Sequence, residues 1–161
     1  MDKSRLEQQK TIAQNRRARH NYYIEDTVEA GIALIGTEVK SLRSGRVSLN
    51  DSYAEIVGGE VILQNAHIDQ YEPASRFNHN PQRPRRLLLH KREIRKLQSK
   101  VAERGYTLVP LSLYFNRDGR VKVELALARG KKIYDKREAI KEREQAMESR
   151  RAVRGRDRRY E

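Results

Sequence analysis

Apolar and β-branched residues crowd into residues 20–34 (Tyr22, Tyr23, Ile24, Val28, Ile32, Leu34), which predicts a long or bent strand broken near Ala30-Gly31, with Gly31 as a bulge. Tyr22 and Tyr23 then fall on opposite faces, so one ring is available for stacking and the other belongs to the core. Ile35, Val39 and Leu42 follow at helical spacing before Gly45, predicting a short helix over residues 37–44 that displays Lys40 and Arg43. Two alternating runs, 52–57 and 60–66, flank Gly58-Gly59 and read as a hairpin, with residues 68–71 continuing the sheet. The Pro- and Asn-containing stretch 73–84, with Phe77 and His79, reads as a loop that is disordered when unbound. Leu87-Leu88-Leu89 returns to the core. Residues 91–104 place Ile94, Leu97 and Val101 on one helical face, with Gly105 as the stop. Residues 106–115 and 121–128 form a second hairpin around Asn116-Arg117-Asp118-Gly119, and Pro110 implies an edge or a bulge.

These elements predict a mainly β chain with short helices, a small antiparallel OB-like barrel over residues 18–129; a flat α+β sheet is the structural alternative. Residues 1–17 lack a sustained period and read as a flexible basic N-terminal arm. In the basic C-terminal tail, residues 130–161, Ala139, Ala146 and Val153 recur every seven residues beside Ile140 and Met147. That stripe is too thin to hold a partner helix, so the tail is expected to be disordered when free and helical along a polyanion.

Charge sharpens this division. The chain carries 35 Lys and Arg against 22 Asp and Glu, a net charge of +13 in 161 residues. Residues 47–72 hold five acids and no Lys or Arg, whereas residues 76–100 hold nine bases against Glu93, and residues 10–20 hold four bases and no acid. From Arg129 onward 13 bases face 7 acids. A body with acidic and basic sides and a cationic extension points to a polyanionic partner. No apolar run approaches the roughly 20 residues that span a bilayer, and the first twenty residues carry no apolar signal segment, so a cytoplasmic protein without a membrane partner is expected.

Little in the sequence suggests chemistry. With no cysteine there is no disulfide framework, thiolate zinc site or thiol nucleophile. His20, His67, His79 and His90 lack acidic partners at metal-ligating spacing, Ser52 lies outside a Gly-x-Ser-x-Gly elbow, and Gly130-Lys131-Lys132 lacks the further residues of a phosphate loop. No enzyme, metal or cofactor is expected. Asn15, Arg16, Arg17, Arg19 and His20 beside Tyr22 and Tyr23 instead combine phosphate-binding forks with stacking rings, a mixture suited to structured RNA.

Several stretches together resemble one family, the bacterial SsrA-binding proteins (small protein B). They are Asn15-Arg16-Arg17-Ala18-Arg19-His20, Glu29-Ala30-Gly31-Ile32, Gly36-Thr37-Glu38-Val39-Lys40-Ser41-Leu42-Arg43, Asp51-Ser52-Tyr53, Leu87-Leu88-Leu89 and Gly130-Lys131-Lys132-Ile133-Tyr134-Asp135-Lys136-Arg137. The resemblance implies a non-catalytic, monomeric adaptor that binds the tRNA-like domain of transfer-messenger RNA and delivers it to stalled ribosomes for trans-translation. It implies that Asn15, Arg16, Arg19, His20, Glu29 and Lys40 contact this RNA, with Leu88 supporting the surface by packing. It further implies that Lys131, Lys132, Tyr134, Asp135, Lys136 and Arg137 engage the ribosome, where the tail reads the empty decoding centre and the mRNA channel. Beyond about residue 145 the chain departs from relatives with bulky apolar residues, since Gln145, Ala152 and Val153 are small or polar and an Arg-rich end follows. A general ribosome-associated or single-strand RNA binder and an RNA-processing enzyme are the rival readings.

Overall fold

The computed structural model describes residues 10–103, 105–131, 141 and 143–150. Its first unit opens with β1 (Lys10–Gln14), α1 (Arg16–Asn21), β2 (Tyr22–Ile32), α2 (Gly36–Arg43) and β3 (Val47–Ser48). It continues through β4 (Tyr53–Val57), β5 (Glu60–Gln64), β6 (His67–Ile68), a 3-10 turn (Glu72–Phe77) and β7 (Arg85–Leu88), then α3 (Lys91–Val101), β8 (Tyr106–Phe115) and β9 (Val121–Gly130). The sheet order is β1-β8-β4-β5-β7-β2-β9, and β9 also pairs with β8. Six antiparallel strands therefore close into a ring, which removes the exposed edges an open sheet would present. The flat alternative is excluded, and the barrel expected from the hairpins is present.

Alternation builds the interior. Val123, Leu125 and Leu127 of β9 point inward with Ala30 of β2, Val61 and Leu63 of β5, Leu87 of β7 and Leu108 and Leu113 of β8. Leu42 of α2 and Leu97 of α3 join the same core. The β4–β5 turn uses Gly58 and Gly59 at φ of 58° and 76°, the two positive values a tight two-residue hairpin needs. The acidic residues Glu55 and Glu60 are on exposed positions of that hairpin.

The outer face of β8 and β9 carries a second, smaller cluster. Val109, Leu111, Ala126 and Ala128 pack against Ala18 of α1, with Tyr22 and Ile24 at its margin. Three alanines at this contact let the short helix lie close to the sheet. Here the structure corrects the expected arm. Residues 10–14 form β1 against residues 112–115 of β8, and residues 16–21 form α1, so only the segment before Lys10 lies outside the described residues. The weak pattern of Lys-Thr-Ile-Ala-Gln suffices because its register partners all lie on β8, a strand already held by β9 and β4.

Other expectations shift in detail. The strand β2 starts at Tyr22 and runs unbroken through Gly31; its irregularity falls between Ile24 and Asp26. Gly31 is instead a close-approach site, since a Cβ there would stand 3.2 Å from the Leu88 Cβ on β7. Residues 68–71 do not extend the main sheet: His67–Ile68 pairs with β3 in a separate two-stranded ribbon. Helix α3 ends at Val101, earlier than expected. Pro110 lies at a register shift in β8, the bulge its missing N–H favours.

The second unit, residues 131–161, is described only at Lys131, residue 141 and residues 143–150, of which 141 and 143–150 are helical. Tyr134, Asp135, Lys132, Lys136 and Arg137 lie outside the described residues. Within the described residues no helix is long and apolar enough to cross a membrane.

Candidate nucleic-acid interface

Helix α1 is set in place by Asn15. Its Oδ1 accepts from the Ala18 N–H at 3.2 Å, capping the helix, while its Nδ2 donates to the carbonyls of Pro110 at 3.0 Å and Leu49 at 3.3 Å. The Asn15 backbone N–H donates to the Leu111 carbonyl at 2.7 Å. The β8 bulge thus aims carbonyls at the residue that starts α1. Asn15 is buried at 5% exposure with its side chain engaged three times, which gives it a role in positioning α1. Replacing Asn15 by Ala orphans two buried carbonyls and removes the cap. A loss of about 2 kcal/mol in urea unfolding is expected.

Beyond that anchor, Arg16, Arg17 and Arg19 are exposed and His20 is half-buried, with Arg19 and His20 in the last turn, where cations complement the helix dipole. Arg17 approaches Asp51 at 4.0 Å, an exposed pair of little energetic weight. Tyr23 is the outward ring of the tyrosine pair, 41% exposed, with the Arg129 guanidinium 5.6 Å from its centroid, while Tyr22 packs on the small outer cluster.

Strand register shows what shares this face. Along β9, Ala128 and Ala126 lie under α1; two and four residues further back on the same outer face come Glu124 and Lys122. Glu29 is opposite Glu124, Gly31 opposite Lys122, and Leu88 of β7 opposite Gly31. On the other side of β9, Ser112 and Tyr114 of β8 are opposite Glu124 and Lys122. Arg16, Arg19, His20, Glu29 and the half-exposed Leu88 are therefore brought onto one continuous outer surface. Sequence reasoning missed Lys122 on this surface and the buried Tyr114 beside it on β8. Their signal was present in the alternation: both occupy outward positions beside inward Val123 and Leu113.

Lys40 is held by a different set of elements. Its Nζ stands 5.4 Å from the Tyr71 ring centroid, on the exposed side of α2. The opposite side of α2 is fastened by buried polar groups. Glu38 accepts from the Ile35 N–H at 3.0 Å, from Arg83 Nη2 at 2.5 Å and from Arg85 Nε. Arg85 also donates to the carbonyls of Ala66 at 2.8 Å and Pro81 at 3.0 Å, and both Glu38 and Arg85 are fully buried. Burial pushes the Glu38 carboxyl up, but hydrogen bonds from Arg83, the Ile35 N–H and Arg85, with the charge of Arg85, outweigh it and leave it below its ordinary range. Burial lowers the Arg85 value, partly opposed by Glu38.

Ser41 Oγ donates to the Asp69 carbonyl at 2.6 Å. His79 Nε2 donates to the Ile68 carbonyl at 2.8 Å, which makes Nδ1 the acceptor for the Thr37 hydroxyl at 2.9 Å in the neutral ring. These bonds pin the loop after the 3-10 turn, which the sequence marks as disordered. Phe77 nevertheless remains 78% exposed. Among the described residues no three His, Asp or Glu side chains converge as a metal site.

The chain matches the family model described as SmpB protein over residues 12–155. It is similar to the SsrA-binding protein of Symbiobacterium thermophilum, 61% identical over 145 residues that cover 90% of this chain and 92% of the relative. It is also similar to the SsrA-binding protein of Thermobifida fusca, 64% identical over 147 residues and 91% of each chain. A chain of a solved structure, "tmRNA-SmpB: a journey to the center of the bacterial ribosome", superposes with a TM-score of 0.66 at 54% identity, over 80% of this chain and 93% of that one.

Proposed function

The chain belongs to the SmpB family, and on that premise we propose that it is an RNA-binding adaptor for transfer-messenger RNA (SsrA) in trans-translation. It binds the tRNA-like domain through the barrel, accompanies the RNA to a stalled ribosome and performs no chemistry itself. The observation that carries this reading is the single outer surface on which α1 displays Arg16 and Arg19 beside Glu29. Cationic forks on a short rigid helix neutralise phosphates, and an exposed carboxylate beside them accepts hydrogen bonds from base amino groups or 2′-hydroxyls. Such a surface suits a folded RNA. Lys40 supplies a further cation from α2.

The tail is the second contact. Lys131, Lys132, Tyr134, Asp135, Lys136 and Arg137 engage the ribosome at the decoding centre, and the Arg-rich end follows the empty mRNA channel by charge. Its support is composition: 12 bases in residues 130–161 with few large apolar residues suit a segment that orders on ribosomal RNA. The protein acts as a cytoplasmic monomer.

The double replacement of Arg19 and His20 by Ala tests the α1 assignment. Affinity for the isolated tRNA-like domain is expected to fall by about tenfold to a hundredfold, with the urea midpoint nearly unchanged because both side chains are outside the core. Equal affinity in the variant, measured by filter binding, refutes the assignment. An equal loss toward every RNA tested favours the general binder over the adaptor.

A further inference from the structure

We infer that Tyr114 is a positioning residue for RNA recognition: its buried hydroxyl holds the exposed Glu29 carboxylate in the orientation that meets RNA. This inference rests on Glu29 being an RNA contact, as proposed above. Tyr114 is 8% exposed, and its O–H donates to Glu29 Oε2. The bond crosses β9 diagonally, since Tyr114 is opposite Lys122 and Glu29 opposite Glu124.

The register creates the need for such a tether. Glu29 and Glu124 are directly opposed like charges on adjacent strands, an arrangement that drives long side chains apart. Hydroxyls from β8 meet both: Tyr114 takes Glu29, and Ser112 Oγ donates to Glu124 Oε2 at 3.2 Å. With Oε2 of Glu29 held, Oε1 is the oxygen left to accept from a base amino group or a 2′-hydroxyl. A carboxylate already fixed in one rotamer loses less freedom when RNA docks than one swinging in solvent. Burial raises the Tyr114 hydroxyl well above the ordinary tyrosine range, and the bond to Glu29 and the charges of Glu29 and Glu124 add to this, so the group remains a protonated donor.

The test is a double-mutant cycle on the full chain, with fluorescence anisotropy of the tRNA-like domain of transfer-messenger RNA as the readout. Glu29→Gln and Tyr114→Phe are each expected to weaken binding by about fivefold to tenfold, and the double variant to bind no more weakly than Glu29→Gln alone. The slope of affinity against salt should be the same in Tyr114→Phe as in the parent, because no cation is removed. If Glu29→Gln binds like the parent, the assignment of Glu29 as a contact fails and this inference falls with it. If Glu29→Gln is weakened but Tyr114→Phe is not, or the two losses add, Glu29 stands as a contact and the positioning role of Tyr114 is refuted.

Discussion

Replacing Glu38 by Ala is expected to lower the stability of the barrel by about 3–5 kcal/mol, as removal of one member of a buried ion pair does elsewhere. Arg85 would then be a fully buried guanidinium without its counter-ion, and the Ile35 N–H at the start of α2 would lose its acceptor. Because Arg85 also donates to carbonyls of Ala66 and Pro81, the damage spreads from α2 to the loop leading into β7. The pH dependence has a definite sign. The folded-state Glu38 carboxyl lies below its ordinary range, so the native state favours the ionised form. The stability this contributes is complete above the ordinary carboxylate range near pH ~4.3 and is lost as pH falls through the folded-state value. Urea unfolding at neutral pH and along an acid series measures both effects. Glu38→Gln, which keeps the shape, should unfold earlier at neutral pH and show a shallower acid limb than the parent. An unchanged midpoint in both variants would mean that the Glu38–Arg85 pair does not hold α2.

Removing residues 131–161 is expected to leave affinity for transfer-messenger RNA within about twofold while abolishing tagging on ribosomes stalled at the end of a message. The reason is a division of charge and core. The body through residue 128 has 22 bases and 15 acids together with both hydrophobic clusters, and among the described residues neither cluster uses one beyond Ala128. The remainder has +6 and few large apolar side chains. Filter binding and a reconstituted tagging reaction separate the two roles. An affinity loss above about tenfold would assign the tail to the RNA grip and contradict the division.

Both hairpins were legible because period-two alternation and turn glycines are local signals. Gly58-Gly59 and the inward series Val123, Leu125, Leu127 required no knowledge of distant partners. The start of the chain was not legible for the opposite reason. The strand β1 pairs with residues about a hundred positions away, and α1 depends on carbonyls of the β8 bulge, so neither shows a period of its own. Arg85 illustrates a subtler failure. In β7 it alternates with Leu87 and shares its inward direction, yet as one of nine bases in residues 76–100 it reads as surface charge. Glu38 similarly reads as a polar helix residue, although a glutamate at the third helical position is a capping signal. Their partnership across 47 residues is a property of the closed barrel. Among the candidate contacts, Arg16, Arg19 and Glu29 remain on the surface, whereas Asn15 is buried in the service of α1. Side-chain type alone could not separate an exposed polar residue from a buried one that aims its neighbours.

The most direct measurement of the adaptor reading is sequencing of the RNA that stays with the purified full chain after a wash at moderate salt. A +13 protein binds many RNAs weakly, and salt removes those held by phosphate contacts alone. A retained pool dominated by transfer-messenger RNA is expected, with that enrichment lost in the Arg19 and His20 double variant. A pool that mirrors cellular RNA abundance, in the parent and the variant alike, would contradict the adaptor reading.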